Sequence, residues 1–497
     1  MVPPSFHGAS GQWSNKPWLR KNSGMELLHF NSFYLVGIKG VAMTSLAQLL
    51  LDADKQVQGS DTPEDFPTKI QLDRLQLYPD TQFKTPLPST IDCVIYTGAH
   101  NGGNNPQVKW AKKHHIPTIT HAQALAYFFN QKRGIAVCGV GGKSTVAAMI
   151  TWILHSQQLN PSFSVGVGNI PGLEKTGAWT DSKYFVAEAD EYVEDPTIKT
   201  KEIVPRFSYL KPFITVCPNL RFDHPDVYRN FEQTKQVFGQ FFTQTDPAGG
   251  LIVNGDDPVL VKLAKQAHPH VLTFGESHHV DFRLTNYQSQ TGQTTSTFEY
   301  QGKTYQFTLH LPGKFNALNA LAAIAATSLT DSQILSDHNL SKFRSTARRF
   351  ENIGVIHGVQ CYDDYAHHPH EIKAAIAALN EWYPKQRKVI AFQSHTYSRT
   401  KQLFDEFVDS FADAKEVVMT DIFSSAREQS DPTISSTKLC EAIEKKYSQT
   451  KAQNLKTNKK LANYFKKELK PGDIFLTLGA GDIYEVYQLL NEVILSL

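Results

Sequence analysis

The chain has 497 residues, room for three domains at about 150 residues each. Fifty Lys and Arg against 48 Asp and Glu leave a net charge of +2, too balanced for a general binder of polyanions, so no nucleic-acid partner is expected. Hydrophobic residues make up 41% and charged residues 20%, and mean hydropathy is −0.34. No stretch reaches the ~18 apolar residues of a membrane span, so no membrane association is expected either. The five cysteines (Cys93, Cys138, Cys217, Cys361, Cys440) are scattered and odd in number. That argues against a disulfide framework or a cysteine zinc site and fits a reducing, cytoplasmic setting.

Residues 1–24 show no periodicity and no apolar run of the kind a signal peptide needs. They are read as a disordered extension or an expression remnant, with Met25 as the natural start and the fold beginning near Leu28. Phe33 to Gly37 then reads as a strand, Ala42 to Leu51 as a helix, Val57 to Asp61 and Cys93 to Tyr96 as further strands, with a Gly/Asn-rich loop from Gly98 to Asn105. Strand and helix alternate, which predicts a parallel α/β sheet in a first domain over 25–128. A central domain over 129–333 opens with a strand at Gly134 to Cys138. It continues with strands at Tyr184 to Ala187, Phe213 to Val216 and Gly250 to Val253. Thr294 to Leu311 alternates like a hairpin around Gln301-Gly302, and Asn316 to Ser328 is an Ala-rich helix. The polar stretch Thr330 to Ser341 marks the second boundary. A third domain over 334–497 alternates again, with strands at Val389 to Phe392, Glu416 to Thr420 and Ile474 to Leu478.

The strongest local signal is Gly139-Val140-Gly141-Gly142-Lys143-Ser144-Thr145, between an apolar strand and the apolar helix Val146 to Leu154. Glycines let backbone N–H groups approach a phosphate chain, and the helix N-terminus adds partial positive charge. The lysine supplies a point charge, and the hydroxyl after it is a Mg²⁺ ligand type. A strict Walker pattern would have glycine where this chain has Val137. A glycine-rich turn with a surface lysine is the plainer alternative, and the strand–loop–helix register favours nucleotide. Glu188-Ala189-Asp190-Glu191 stands at the C-terminal end of a strand, the usual ligand crevice of a parallel sheet. Alone it reads as a solvated acidic loop; beside a phosphate loop, one of its carboxylates becomes a candidate Mg²⁺ ligand. Asn219-Leu220-Arg221-Phe222-Asp223-His224 also follows a strand, its Asp-His read as a metal or phosphate neighbour or as a structural pair. Asp363-Asp364-Tyr365-Ala366-His367-His368-Pro369 places two acids and two histidines in one strand-to-helix connection. Adjacent histidines point apart, which predicts one functional histidine and one that packs or caps. Arg348, Arg349 and Arg399 are candidates for oxyanion contacts. In the first domain Gly37-Ile38-Lys39-Gly40 occupies the place of a dinucleotide turn, with Asp61 near the position of a ribose-binding acid. The reading there is a nucleotide site with Lys39 near a phosphate.

Together these residues resemble the Mur ligase family. The resemblance runs from about Leu28 to the C-terminus on motifs in family order. They are Gly37 to Gly40, Gly59-Ser60-Asp61, Gly139 to Thr145, Glu188 to Glu191, Phe222 to His224, Pro312 to Ala320, Arg348 to Phe350, Asp363 to Pro369, His395 to Thr400 and Gly479 to Asp482. The resemblance implies an N-terminal Rossmann-like UDP-binding domain, a central P-loop ATPase-type α/β domain and a C-terminal Rossmann-like domain for the amino acid. It implies that ATP phosphorylates the lactyl carboxylate of UDP-N-acetylmuramate and that L-alanine attacks the acyl phosphate, in peptidoglycan precursor synthesis, in a monomer or weak homodimer. The cofactors implied are ATP and Mg²⁺. Gly139, Gly141, Gly142, Lys143, Ser144 and Thr145 would hold the phosphates. Ser144 or Thr145 would ligate one Mg²⁺, Glu188 and His224 would match a second metal site, and Asn316, Arg349 and Asp364 would contact nucleotide. His367 and Arg399 would lie near the acceptor amine and the UDP-sugar, and Gly37, Lys39, Gly40, Ser60 and Asp61 would bind the UDP-sugar. Lys143, Glu188, His224 and His367 are the expected catalytic set.

The chain also departs from the family. Val140 and Gly141 replace Thr and His in the loop, Ser144 replaces Thr, and Phe315 stands where His often precedes the asparagine. Tyr192 to Pro196 and Pro205 to Phe207 resemble the recycling ligase that attaches a ready-made tripeptide, while His395 to Thr400 and Gly479 to Gly481 follow the alanine-adding pattern. A non-catalytic nucleotide-binding relative is a further alternative, disfavoured by retention of Lys143, Glu188, His224 and Asp364.

Overall fold

The computed structural model describes residues 26–64, 66–195, 203–224, 227–424 and 430–491; the segment 1–24, Met25 and Pro196 lie outside them. Three sheets follow one another along the chain. The first is all parallel, in the order β2-β1-β3-β4, from β1 (Ser32–Val36), β2 (Gln56–Ser60), β3 (Cys93–Tyr96) and β4 (Thr118–Thr120).

The second sheet has ten strands. β5 (Arg133–Val137), β6 (Ser162–Ser164), β7 (Gly177–Ala178), β8 (Tyr184–Glu188), β9 (Ile214–Cys217), β10 (Gly250–Asn254) and β11 (Val271–Gly275) precede the longer β12 (Phe282–Gln290), β13 (Gln293–Tyr300) and β14 (Lys303–Leu309). Their order is β14-β13-β12-β11-β10-β9-β5-β8-β6-β7, with β5 between two parallel neighbours. The hairpin between β13 and β14 turns at Gln301 and Gly302, both at positive φ, as a tight two-residue connection requires.

The third sheet runs β15-β16-β20-β17-β18-β19, from β15 (Glu351–Ile356), β16 (Val359–Asp364), β17 (Lys388–Phe392), β18 (Glu416–Thr420), β19 (Lys451–Lys456) and β20 (Ile474–Leu478). The architecture is α/β throughout. The short strands β4, β6 and β7 and the hairpin β15–β16 carry too little apolar pattern to have been marked in the sequence.

Six helices matter for the site: α1 (Val41–Asp52), α2 (His121–Phe129), α3 (Lys143–Ser156), α4 (Lys314–Ser328), α5 (Pro369–Trp382) and α6 (Tyr397–Gln402). α3 buries Val146, Met149, Ile150, Ile153 and Leu154 completely, and α4 faces it with a run of fully buried alanines from Ala317 to Ala326. Small side chains let the two helices approach closely over the second sheet, which fixes the start of α3. Gly177 does the same job between domains: a Cβ there would lie 2.1 Å from the Ser45 carbonyl oxygen of α1. All three domains meet at Gly168, where a Cβ would stand 3.2 Å from the Pro67 carbonyl and 3.3 Å from the Ala347 Cβ. Asn169 then bonds both ways, accepting Gln71 Nε2 at its Oδ1 and the Ala347 N–H at its carbonyl, each at 3.0 Å. Among the described residues no helix is long and apolar enough to cross a membrane, and all five cysteines are free and buried.

Candidate functional site

β5 is sealed on both faces, with Ile135, Ala136 and Val137 fully buried, and the chain leaves it into the glycine loop. Gly139 (φ +114°) and Gly142 (φ +82°) take conformations that favour glycine, and a Cβ at Gly142 would sit 2.8 Å from Asn319 Oδ1. Asn219, after β9, pins the loop: its Oδ1 accepts the N–H groups of Val140 (3.1 Å) and Gly141 (3.0 Å), and its Nδ2 donates to the Gly141 carbonyl at 2.7 Å. The Gly141 amide expected to meet phosphate is thus taken, together with that of Val140, by a side chain whose reach to the loop is not visible in the sequence. The first turn of α3, from Lys143 through Ser144 to the buried Thr145, is left to present its N–H groups. Lys143 Nζ donates to the Gly139 carbonyl at 2.6 Å and to both oxygens of Glu191, at 2.9 and 3.1 Å. Burial works against its charge, but Glu191 and Asp190 outweigh that and hold the proton more tightly than usual.

Ser144 stands at the centre of a second cluster. Its hydroxyl donates to Glu188 Oε2 at 3.0 Å and accepts from Arg349 Nη2 of the third domain at 3.1 Å. Glu188 Oε1 accepts the Gly166 N–H at 2.6 Å. Burial raises the Glu188 carboxyl above its ordinary value, partly offset by Arg349 and Lys143. A hydroxyl and a carboxylate beside a phosphate loop are hard oxygen donors, and Mg²⁺ at phosphate sites takes few protein ligands and keeps water and phosphate for the rest. Ser144 and Glu188 fit that ion. His224, paired with Glu188 in the expectation of a second metal site, turns its Nε2 to Glu191 Oε1 (3.6 Å) and Asp223 Oδ2 (3.7 Å). Among the described residues no group of three or more His, Cys, Asp and Glu converges as a metal cage.

His224 adopts φ +56°, and its ring meets Tyr192 edge-on at 4.9 Å. Burial lowers its basicity, but Glu191 and Asp223 outweigh this, so the imidazole sits above its usual pKa. Asp223 also accepts from Arg399 Nη2 at 3.0 Å, both side chains being buried, and Arg399 Nε is buried without a partner. Asp190 pairs with Arg206 at 2.6 Å. Burial opposes its charge, but Arg206 and Lys143 prevail and bring its carboxyl down to about 2.

The third domain contributes the connection after β16. Asp364 accepts the N–H groups of Phe350 and Ala366, each at 2.7 Å, and burial pushes its carboxyl up to about 6, Arg349 opposing. The two arginines divide. Arg348 binds Asp363 (3.1 Å) and the Gly479 and Gly481 carbonyls, a structural role, whereas Arg349 reaches the loop. The histidines divide too. His368 caps α5 in a reciprocal arrangement with Glu371, and His367 turns inward, its Nδ1 3.0 Å from the Tyr365 carbonyl. Burial, then Arg399, holds His367 well below its ordinary pKa, so it is neutral. Asn316, in the first turn of α4, bonds the Pro312 carbonyl at 2.8 Å and accepts Asn319 Nδ2 at 3.4 Å, two partners within its own segment.

In the first domain the turn after β1 closes on itself. The N–H groups of Gly37 and Ile38 donate to the Ser60 carbonyl, Gly40 N–H to the Gly37 carbonyl, and Lys39 N–H to Asp61 Oδ2 at 2.7 Å. Lys39 Nζ donates to the carbonyls of Thr62 (2.6 Å), Pro63 (3.3 Å) and Glu64 (2.8 Å), and Asp61 also receives His100 Nε2 at 3.0 Å. Ser60 Oγ donates to Gln107 Oε1. Lys39, Ser60 and Asp61 therefore shape the turn in this structure, and Lys39 does not point into an open cleft. Between the first and second domains lies an arm built from residues 190–195 and 203–209. Asp195 accepts the Gly103 N–H at 2.8 Å, and Glu194 accepts from Tyr209 (2.7 Å) and from the Thr120 hydroxyl at the start of α2.

Family models match nearly all of this. The Mur ligase family catalytic domain matches residues 32–133, the Mur ligase middle domain 137–327, and the Mur ligase glutamate ligase domain 348–481. A UDP-N-acetylmuramate–L-alanine ligase of Clostridium acetobutylicum is 36% identical over 94% of this chain and 97% of its own. Among solved structures, UDP-N-acetylmuramate-alanine ligase of Thermotoga maritima overlays with a TM-score of 0.76 at 23% identity, covering 94% of this chain and 99% of that one. A murein peptide ligase of Psychrobacter arcticus gives 0.66 at 21%, covering 93% and 98%. With three domain models in register and a relative aligned end to end, the chain belongs to the Mur ligase family.

Proposed function

We propose that this chain joins L-alanine to the lactyl carboxylate of UDP-N-acetylmuramate, using ATP and Mg²⁺. The observation that carries the reading is Arg349 of the third domain bonded to Ser144 of the phosphate loop, with Glu188 on the same hydroxyl. Cations from two domains converge where a triphosphate and a carboxylate would meet, and they offset the repulsion between two anions that is the main barrier to phosphoryl transfer onto a carboxylate.

A carboxylate oxygen attacks the γ-phosphorus, ADP leaves, and the resulting acyl phosphate is opened at its carbonyl carbon by the amine, releasing phosphate. Lys143 and the first turn of α3 bind the phosphates. Mg²⁺ held by Ser144 and Glu188 would neutralise charge on the phosphate oxygens. Arg349 spans the second and third domains and keeps the cleft closed, which shields the acyl phosphate from water. His367 is held neutral, with Nδ1 committed to the Tyr365 carbonyl, so its Nε2 is left as a hydrogen-bond acceptor that can orient an N–H of the incoming amine. The unpartnered Nε of Arg399 offers a donor to an anionic group of the acceptor or the sugar nucleotide. A phosphate-release assay with UDP-N-acetylmuramate and ATP separates the substrates: turnover with L-alanine and none with the tripeptide supports the reading, and the reverse assigns the chain to tripeptide recycling.

A further inference from the structure

Lys143 is already engaged at the place where a phosphate would meet it. Its ammonium touches both oxygens of Glu191 and the Gly139 carbonyl. Glu191 is 2% exposed, and the chain around it is held from several sides. Tyr228, itself buried, donates its hydroxyl to the Glu191 carbonyl, and the next residue, Tyr192, accepts the Arg206 N–H at 2.9 Å. His224 stands 3.6 Å from the far carboxylate oxygen. The Glu191 side chain is 3% exposed, so a phosphate oxygen that takes Lys143 does so beside a buried negative charge, in a setting where screening is weak.

We infer that Glu191 is a positioning residue of the nucleotide site: it fixes the Lys143 ammonium against the loop and, by remaining buried beside it, weakens the enzyme's hold on bound nucleotide. This rests on the reading of the loop as a nucleotide site. The penalty falls on ADP as well as ATP, which favours release of product after each turnover. A carboxylate that served only as structural counter-ion to Lys143 would, on removal, loosen the loop and weaken nucleotide binding. A competing carboxylate predicts the opposite sign.

The test is calorimetric titration of ADP into the full-length chain, comparing wild type, Glu191→Gln, Lys143→Met and the double variant. Gln keeps an oxygen for Lys143 but removes the charge. ADP is expected to bind Glu191→Gln about tenfold more tightly, the equivalent of ~1.4 kcal/mol, and the gain is expected to vanish when Lys143 is absent. In turnover, KM for ATP and kcat are expected to fall together, as they do when ground-state destabilisation is removed. Unchanged or weaker binding in Glu191→Gln, or a gain that survives in the Lys143→Met background, overturns the inference. If Glu191→Gln does not fold, Glu191→Asp withdraws the charge by one methylene and is expected to give a smaller gain, the absence of which overturns it equally. Wild-type protein that binds no ADP overturns the nucleotide reading itself, a result distinct from the others.

Discussion

Arg399 Nη2 donates to Asp223 Oδ1 at 3.0 Å, so a buried ion pair crosses from the start of α6 in the third domain to the connection after β9 in the second. Burial alone would raise the Asp223 carboxyl, but His224 and Arg399 together hold it well below the usual range. Removing one partner of such a pair strands the other charge, which typically costs about 3 kcal/mol or more. Arg399→Met is expected to lower stability by roughly that amount in denaturant unfolding, and adding Asp223→Asn to the same molecule is expected to recover part of the loss. An Arg399→Met protein as stable as wild type would show that the pair does not hold the domains together.

Gly142→Ala tests the loop conformation. At φ +82° a Cβ costs about 1 kcal/mol, and the Asn319 contact at 2.8 Å adds steric conflict at the mouth of α3. ADP affinity is expected to fall on the order of tenfold. Gly302→Ala is the control: it has a similar positive φ (+74°) in an open turn with nothing within 4 Å, and it is expected to leave ADP binding unchanged while carrying the same backbone strain.

His121 sets a pH dependence at the joint of the first two domains. Its Nε2 lies 3.1 Å from the Ala42 carbonyl, and burial, helped by Arg206, lowers its pKa to about 4. The folded value lies below the unfolded one of ~6.5, so the unfolded chain takes up the proton first as pH falls. Stability present above pH ~6.5 is therefore lost between ~6.5 and 4, by up to about 3 kcal/mol. In denaturant across that window, wild type is expected to lose stability relative to His121→Gln as pH falls. Parallel curves would show that His121 is not buried neutral.

Much of this site was legible because its parts are local. Ile135 to Val137 followed by glycines and Lys143 marks a strand, a loop and a helix start within a dozen residues, and Pro369 with Glu371 announces the helix that His368 caps. What escaped the sequence reading is long-range. Asn219 reaches the loop from a strand that is adjacent in space but distant along the chain, and no spacing rule connects it to Val140 and Gly141. Glu191 stands in an acidic run where any of three carboxylates is a candidate; that it is the one facing Lys143 shows only in three dimensions, where Tyr228 also bonds its carbonyl. Lys39 shows a long-range arrangement of another kind. A lysine in a glycine turn suggests phosphate, and the sequence gives no sign that the carbonyls of Thr62, Pro63 and Glu64 converge on its ammonium once β2 has been laid beside β1. The arm of residues 190–195 and 203–209 was visible only as a departure from family pattern, because its partners, Gly103 and Thr120, belong to another domain.

The acyl-phosphate route leaves an isotopic signature that no other step imitates. UDP-N-acetylmuramate labelled with ¹⁸O in its lactyl carboxylate, incubated with the enzyme, ATP, Mg²⁺ and L-alanine, is expected to deliver one labelled oxygen to each phosphate released, measured by mass spectrometry beside the alanyl product. Amide product accompanied by unlabelled phosphate would contradict the account.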